Sequence, residues 1–164
     1  MTTNKQILGV IGNPIAQSKS PEMHNTVINT LGLDYTYMPF LLENNSDVGP
    51  FIDSMRTVPI RGVNVTVPYK ETVIPFLDHC DPMAMKVGAV NTIVNDSGVL
   101  TGYNTDGIGF IRSLKEDLGF DPNGSNVVLL GAGGAAKGIA LSLIEAGIKE
   151  LVILNRTVSR AQDL

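Results

Sequence analysis

An apolar run that leads directly into a glycine-rich turn restricts the fold of this chain more than any other feature. Asn126–Leu130 has the sequence NVVLL, which is typical of a strand covered on both faces of its sheet. The GAGGAA segment that follows precedes a helical pattern, and its glycines permit a tight turn and let backbone amides approach a pyrophosphate. With Ala136 as an accepted variant of the third glycine, the pattern predicts the start of a Rossmann-type dinucleotide-binding domain. The candidate cofactor contacts in this turn are Gly131, Ala132, Gly133, Gly134 and Ala135.

The residues after the next apolar run indicate which dinucleotide is bound. Asn155 lies 24 positions after Gly131, near the place where NAD sites carry an acidic residue for the ribose. Arg156 and Thr157 follow instead, with Arg160 close behind. An acid would repel a 2′-phosphate, whereas a guanidinium can pair with it and a threonine hydroxyl can donate to it. A solvated basic turn is the other interpretation, but beside a glycine-rich turn the pattern favours NADP over NAD.

A second chemistry-bearing stretch, GVNVTVPYK, occupies residues 62–70. Its valines alternate with Asn64 and Thr66, which is the period of a half-buried strand. Pro68 is expected to end this strand and to suit the first turn of a helix. The polar side chains would then lie at the C-terminal end of the strand, where open α/β sheets bind ligands. Lys70 follows either as an ordinary solvated lysine or as a cation directed into a site.

Two serines precede a helical pattern in the loop after the first predicted strand. Ser20 followed by Pro21 predicts a helix start, with the serine as N-cap and the proline at the first helical position. Ser18 would then be a simple loop residue. The functional alternative is that both hydroxyls bind a carboxylate, because free amide donors and the helix dipole favour an anion at this place.

Asn91 and Asp106 are the remaining polar candidates, and each has an ordinary interpretation. A buried asparagine in a strand must have its amide hydrogen-bonded, either by the main chain or by a ligand. Asp106 stands at a predicted helix start, where an acid is favourable in the first turn. Alternatively, Asp106 faces Lys70 across a cleft, because a nearby carboxylate keeps a lysine charged and fixes its position.

Five short segments carry a resemblance to one enzyme family. They are SKSP at 18–21, NVTVPYK at 64–70, GAVNT at 88–92, NTDG at 104–107 and NRT at 155–157. Together they resemble the motifs of shikimate dehydrogenases. The resemblance implies a reversible, NADPH-dependent reduction of 3-dehydroshikimate to shikimate in chorismate and aromatic amino-acid biosynthesis. A folate-linked NADP dehydrogenase of similar plan is disfavoured, because four polar motifs fit one substrate.

The resemblance also implies roles for individual residues. The implied substrate-binding residues are Ser18, Ser20, Thr66, Lys70, Asn91 and Asp106. In this assignment the two serines hold the substrate carboxylate, and Thr66, Asn91 and Asp106 bind ring hydroxyls. Lys70 and Asp106 form the implied catalytic pair, in which the lysine gives a proton to the developing alkoxide.

Strands that alternate with helices predict an α/β fold with a mostly parallel sheet. The segment GFDPNGS at residues 119–125 breaks this pattern and marks a domain boundary. We expect a substrate-binding and catalytic domain over residues 1–104, a connecting helix and linker over 105–124, and the start of an NADP-binding domain over 125–164. Because family members are longer, we expect the N-terminal portion of an enzyme, with a non-catalytic shikimate-binding fragment as the alternative.

Composition limits the remaining function classes. A formal net charge of −4 over 164 residues disfavours a nucleic-acid binder, which needs a basic face. Cys80 is the single cysteine and fits a reducing compartment, and neither histidine has metal-ligand spacing. The first apolar run is too short for a signal peptide or a membrane span. We therefore expect a cytoplasmic protein without a metal or a membrane partner, and leave a homodimer open.

Overall fold

The structure, a computed structural model, describes residues 5–164. It divides into two compact units, of which the first reaches to Tyr103 and the second runs from Asn104 to Leu164. The first unit contains a six-stranded sheet, and the second contains a pair of parallel strands. The predicted α/β class with a mostly parallel sheet is therefore confirmed.

The elements follow one another in the order strand and helix for most of the chain. The strands of the first unit are β1 (Gln6–Gly12), β2 (Tyr35–Leu41), β3 (Ile60–Val65), β4 (His79–Cys80), β5 (Thr92–Asp96) and β6 (Val99–Tyr103). Its helices are α1 (Ser20–Thr30), α2 (Val48–Ser54) and α3 (Pro82–Val87), with 3₁₀ turns at Asn45–Asp47 and Ile74–Phe76. The second unit contains α4 (Asp106–Glu116), β7 (Asn126–Leu130), α5 (Gly134–Glu145), β8 (Glu150–Leu154) and α6 (Val158–Gln162).

The six-stranded sheet has the strand order β2-β1-β3-β5-β6-β4. β1 pairs in parallel with β2 and β3, and β4 pairs in parallel with β6. β5 is antiparallel to β3 and β6. Ser97 and Gly98 join β5 to β6 with φ angles of 55° and 92°, as a two-residue hairpin turn requires. β5 and β6 therefore form a β-hairpin.

The two faces of this sheet carry separate apolar clusters. On one face, Ile11 and Val63 belong to the larger core together with Ile52 of α2. On the other face, Ile28 of α1 packs with Tyr37 of β2. Each fully buried aliphatic side chain contributes about 1.5–3 kcal/mol. The clusters therefore fix the strands, and with them the loops that follow each strand end.

The segment after Pro68 differs from the prediction. β3 ends at Val65, the Val67–Pro68 peptide bond is cis, and only the 3₁₀ turn at Ile74–Phe76 follows. Val67 is 62% exposed, although the alternation predicts that it is buried like the other valines. Tyr69 is buried here, and its hydroxyl donates to the Leu42 carbonyl at 2.6 Å. A regular helix is not continued, because Pro75 has no amide hydrogen to donate.

The start of α1 also differs from the prediction in one detail. Ser20 is the first residue of the helix rather than its N-cap, and Lys19 occupies the cap position without a side-chain hydrogen bond. The amide of Ser20 instead donates to Ser18 Oγ at 3.3 Å. The Ser18 side chain therefore accepts one of the free amides at the start of the helix. The helix begins one residue earlier than the pattern indicated.

The second unit pairs β7 with β8 in register from Asn126 and Glu150 onward. Alternate residues of both strands remain open to solvent, and Leu130 is 79% exposed. The expectation that β7 is covered on both faces is therefore wrong for the described residues, in which every second side chain of the strand is exposed. No helix within residues 5–164 is both long enough and apolar enough to cross a membrane.

Candidate active site

Loops that follow β1 and β3 meet at one edge of the first sheet. The amide of Thr66 donates to the Ile11 carbonyl at 2.9 Å, which joins the ends of the two strands. The amide of Val90 donates to the Lys70 carbonyl at 2.8 Å. The main chain therefore brings Thr66, Lys70 and Asn91 to the C-terminal ends of parallel strands, where α/β sheets bind ligands.

The two predicted carboxylate-binding serines lie at the start of α1, in the loop after β1. Ser18 and Ser20 are half-buried, and Ser18 Oγ accepts the amide of Ser20. Lys19 between them is 89% exposed and pairs with Glu22 at 3.5 Å in solvent. Because Ser18 accepts an amide, its own hydroxyl proton can be donated elsewhere. The turn can thus offer two hydroxyl donors to one anion.

A chain of side-chain hydrogen bonds crosses the sheet behind these loops. Tyr37 Oη donates to Asn64 Oδ1 at 2.7 Å, and Asn64 Nδ2 donates to Thr92 Oγ1 at 3.3 Å. Thr92 Oγ1 in turn donates to Asn91 Oδ1 at 3.0 Å. Burial raises the pKa of Tyr37 to about 12, and a hydrogen bond with the Ser20 side chain opposes this rise in part. These hydrogen bonds therefore link Tyr37, through Asn64 and Thr92, to Asn91 of the predicted substrate site.

Two clefts of the first unit differ in what they offer a ligand. A cleft of about 280 Å³ opens beside Tyr37 and is lined by Asn64 and Thr92. A cleft of about 410 Å³ lies at the opposite edge of the sheet, around Arg56 and Arg61. These arginines are already engaged, Arg56 by Asp78 and Arg61 by the Asn95 carbonyl. The larger cleft therefore does not carry the predicted chemistry, although it offers more room.

Lys70 is placed by its neighbours in the chain. It is half-buried, and it directly follows Tyr69, which is 1% exposed and hydrogen-bonded to the core. Its carbonyl accepts the amide of Val90 at 2.8 Å. The backbone at Lys70 is thus held on both sides, so its side chain starts from a fixed point, as a proton donor requires.

Asp106 begins α4 in the second unit, as the sequence indicated. Its amide donates to Asn104 Oδ1 at 3.1 Å, and Asn104 is 4% exposed. The Asn104 side chain therefore accepts one of the free amides at the start of this helix. The pairing of Asp106 with Lys70 joins the two units and stays a prediction.

The glycine-rich turn of the second unit has the backbone that its sequence predicts. Gly131 has a φ of 106°, which only glycine adopts readily, and its amide donates to the Leu154 carbonyl at 2.8 Å. The amide of Ala132 donates to Asn155 Oδ1 at 3.2 Å. A Cβ at Gly131 or Gly133 would meet no atom within 4 Å. The turn therefore leaves open space before the first turn of α5, which suits a pyrophosphate.

The residues predicted to read the 2′-phosphate lie beside this turn. Asn155 connects this segment to the glycine-rich turn. Its Nδ2 donates to the Thr157 carbonyl at 2.7 Å, and its Oδ1 accepts the amide of Ala132 in the turn. Arg156, Thr157 and Arg160 are exposed. Neither arginine forms a salt bridge within residues 5–164, so two guanidinium groups are available to an anion.

Comparison with known proteins assigns the family. Residues 10–93 match the model of the shikimate dehydrogenase substrate binding domain, and residues 113–164 match the model of shikimate / quinate 5-dehydrogenase. The chain belongs to the shikimate dehydrogenase family. A "Shikimate dehydrogenase (NADP(+))" of Geobacter metallireducens is 45% identical over the whole chain, which spans 57% of that relative's length.

Solved structures of this family have the same fold. A shikimate dehydrogenase in complex with NADP⁺ has a TM-score of 0.92 and 38% identity, with 99% of this chain and 55% of that chain covered. Shikimate 5-dehydrogenase from Thermus thermophilus, in complex with NADP(H) and shikimate, has a TM-score of 0.89 and 37% identity over 96% of this chain and 59% of that one. The chain thus spans somewhat more than half the length of the proteins that it matches.

Sequence reasoning placed Asn64 at the end of its strand without giving it a role, and it missed Tyr37. Asn64 belongs to the same alternating stretch as Thr66, so its place on the strand was a signal that it too reaches the site edge. Tyr37 carried no such signal, because an aromatic residue in a strand is ordinarily read as core. Its partner Asn64 lies 27 positions away in the chain, and only the pairing of β1 with both neighbours brings them together.

Proposed function

We propose that a full-length version of this chain catalyses the reversible, NADPH-dependent reduction of 3-dehydroshikimate to shikimate. The observation that carries the proposal is the meeting of Thr66, Lys70 and Asn91 at one sheet edge, next to the serine pair at the start of α1. A dinucleotide turn with an arginine at the phosphate-reading position supports it from the second unit. The family assignment supports the same reaction.

Substrate binding follows from the donors at the sheet edge. Ser18 and Ser20 donate to the substrate carboxylate, where the start of α1 adds favourable amide dipoles. Thr66 and Asn91 bind ring hydroxyls, because a hydroxyl and an amide can both donate and accept. Asp106 is the remaining partner for a ring hydroxyl. The ligand is thereby held at its carboxylate and at its ring, which fixes the carbonyl that reacts.

Lys70 acts as the general acid. Reduction of a ketone places negative charge on its oxygen, and a positioned ammonium can stabilise this charge and then donate a proton. Asp106 favours the charged form of the lysine when the two residues face each other. In the reverse direction, the neutral amine accepts the hydroxyl proton.

The second unit binds NADPH in this proposal, and the bound cofactor supplies the hydride. Amides of the glycine turn and of the first turn of α5 bind the pyrophosphate. Arg156, Thr157 and Arg160 recognise the 2′-phosphate, with Asn155 holding this segment against the turn. We propose residues 1–104 as the substrate domain, 105–124 as the connection and 125–164 as part of the cofactor domain.

Calorimetric titration tests the binding half of this proposal. Shikimate, quinate and NADP⁺ are titrated separately into a full-length version of the chain and into its Ser18→Ala/Ser20→Ala variant. We expect wild-type binding of shikimate and NADP⁺, and loss of shikimate binding alone in the double variant. Tighter binding of quinate would reassign the substrate, and binding without turnover would favour a non-catalytic binding protein. We propose the cytoplasm as the location, and light scattering of the same samples tests a homodimer.

A further inference from the structure

Gly107, the second residue of α4, lies where this helix packs against α5 inside the second unit. It is buried, and it faces two residues of α5 that are one helical turn apart. A Cβ at Gly107 would lie 2.5 Å from the Gly138 carbonyl oxygen and 2.9 Å from Ser142 Cβ, and closer still to Ser142 Oγ. Non-bonded atoms do not approach so closely. The present spacing of the two helices therefore requires glycine at this position.

Both residues that meet at this helix crossing lower the stability of the chain. Ser142 is 5% exposed, and its Oγ has no hydrogen-bond partner within the described residues 5–164. A buried hydroxyl without a partner disfavours the folded state. Glycine in a helix is also less favourable than alanine, because it has more backbone freedom to lose on folding. Local stability alone therefore does not account for this pair of residues.

The crossing lies between two parts of the proposed active site that belong to the second unit. On α4, Gly107 directly follows Asp106, whose amide donates to the buried Asn104 side chain at 3.1 Å. On α5, Gly138 lies four residues after Gly134, which begins the helix, and this is about 6 Å along the helix axis. The contact therefore joins the residue after Asp106 to the first turns of the helix that follows the dinucleotide turn.

We propose that Gly107 is a positioning residue that sets the distance between Asp106 and the dinucleotide turn. Because Gly107 has no side chain, α4 lies directly against α5, and Asp106 is held in one rigid group with the amides that begin α5. A ring hydroxyl bound by Asp106 is then held at a defined distance from a cofactor bound by the turn. Transfer of a hydride depends strongly on such a distance. This role rests on the proposed function, because it requires that Asp106 contacts the substrate.

Gly107→Ala tests this role, because its methyl group must move α4 away from α5. Gly109→Ala is the matched control in the same helix, since Gly109 is exposed and a Cβ there would meet no atom within 4 Å. In a full-length version of the chain, Gly107→Ala should lower kcat about 10- to 100-fold, because a misplacement of about 1 Å can cost this much. The Kd for NADP⁺ should change less than about threefold, because Leu154 and Asn155 hold the pyrophosphate-binding turn without help from α4. Gly109→Ala should leave both values unchanged.

A double-mutant cycle with Asp106→Asn separates positioning from a general disturbance of the fold. The kcat is counted per calorimetric NADP⁺ site, so that unfolded protein does not enter the comparison. If Gly107 acts through Asp106, then Gly107→Ala should lower kcat less than about twofold in the Asp106→Asn background.

A change on α5 provides a second test of the same crossing. Ser142→Val enlarges the crossing from the α5 side and should show the same dependence on Asp106, which keeps the test intact if Gly107→Ala folds poorly. Equal kcat values for Gly107→Ala and Gly109→Ala, or full additivity with Asp106→Asn, would overturn the role. Wild-type protein that does not reduce 3-dehydroshikimate would instead overturn the proposed function itself.

Discussion

Lys70 is the residue on which the proposed chemistry depends most. It follows buried Tyr69, and its carbonyl is hydrogen-bonded to the amide of Val90, so the main chain on either side is anchored. Thr66 lies at the same edge through the hydrogen bond of its amide to Ile11, and Asn91 directly follows Val90. These neighbours would still bind substrate if the ammonium were removed, and this separates binding from proton transfer.

Replacement of Lys70 by methionine keeps much of the side-chain length but removes the proton and the charge. In a full-length version of the chain, Lys70→Met should lower kcat by roughly 10²- to 10⁴-fold, the usual contribution of one general acid–base group. The KM for shikimate should change much less, because Ser18, Ser20, Thr66 and Asn91 still hold the substrate. Steady-state kinetics with both substrates measures this. A large rise in KM with an unchanged kcat would make Lys70 a binding residue.

Arg156 is exposed and without a salt-bridge partner in the described part of the chain, so its charge can be reversed without disturbing the fold. Arg156→Asp should weaken NADP⁺ binding and shift preference toward NAD⁺, because an attractive contact with the 2′-phosphate becomes a repulsive one. The Kd values of both cofactors are compared, with Lys149→Asp as an exposed control outside this segment. Equal losses for NADP⁺ and NAD⁺ would show that Arg156 does not read the 2′-phosphate.

Among the elements, the turn between β7 and α5 restricts most narrowly which residue type can stand at one of its positions. Gly131 has a φ of 106°, whereas Gly133 has an ordinary φ of −91°. Gly131→Ala should lower the free energy of unfolding by roughly 1 to 2 kcal/mol, the cost of a Cβ at positive φ. Gly133→Ala should leave stability nearly unchanged but weaken NADP⁺ binding, because a methyl group would enter the open space before α5. Urea unfolding and calorimetry measure the two effects, and equal stability losses would contradict this distinction.

A salt bridge joins α2 and the 3₁₀ turn at Ile74–Phe76 to the β5–β6 hairpin. Arg56 donates to Asp78 Oδ2 at 2.6 Å and also to the Gly98 carbonyl, and Asp78 accepts the amide of Leu100 at 2.7 Å. The hydrogen bond from Arg56, followed by that from Leu100, holds the pKa of Asp78 below its ordinary value of 3.8. The carboxylate thus favours the fold only in its charged form.

This salt bridge predicts a dependence of stability on pH. A carboxyl with a lower pKa in the folded state stabilises the fold above its unfolded pKa, and this contribution is lost as the pH falls through the folded pKa. The free energy of unfolding should therefore fall as the pH drops below about 4, and it should fall less steeply for Asp78→Asn. Urea unfolding across this range measures it, with exposed Asp34, changed to Asn, as the control. Parallel curves for wild type and Asp78→Asn would contradict the assignment.

Elements with a regular period were predictable from the sequence, and those set by distant contacts were not. The alternating valines before Thr66 and the apolar NVVLL run identified β3 and β7. The expected helix after Pro68 is reduced to a 3₁₀ turn that contains Pro75, which has no amide hydrogen to donate. Strand β4 has only two residues, too few for any period to show. Local sequence also could not indicate that Tyr37 reaches Asn64.

At the scale of the whole molecule, the two units differ in how completely their sheets are covered. The six-stranded sheet has an apolar cluster on each face. The β7–β8 pair exposes one apolar face, where Leu130 is 79% and Leu154 is 54% exposed. Few buried apolar contacts make local opening easier.

Hydrogen exchange should therefore separate the two units of the 164-residue chain. Amides of β7 and β8 should exchange faster than those of β1 and β3, because the pair has two unpaired edges and one open face. Mass spectrometry of peptides from each strand measures this, with light scattering to establish that the sample is monomeric. Uniform protection of both sheets in a proven monomer would contradict the expected difference.

In the proposed function, the sheet-edge residues of the first unit and the dinucleotide turn of the second serve one hydride-transfer reaction. Turnover of 3-dehydroshikimate with NADPH, by a full-length version of the chain, tests this most directly. Product formation should match NADPH oxidation one to one, should fall sharply in Lys70→Met, and should be much slower with NADH. Wild-type protein that binds shikimate and NADP⁺ but forms no shikimate from 3-dehydroshikimate would contradict the claim.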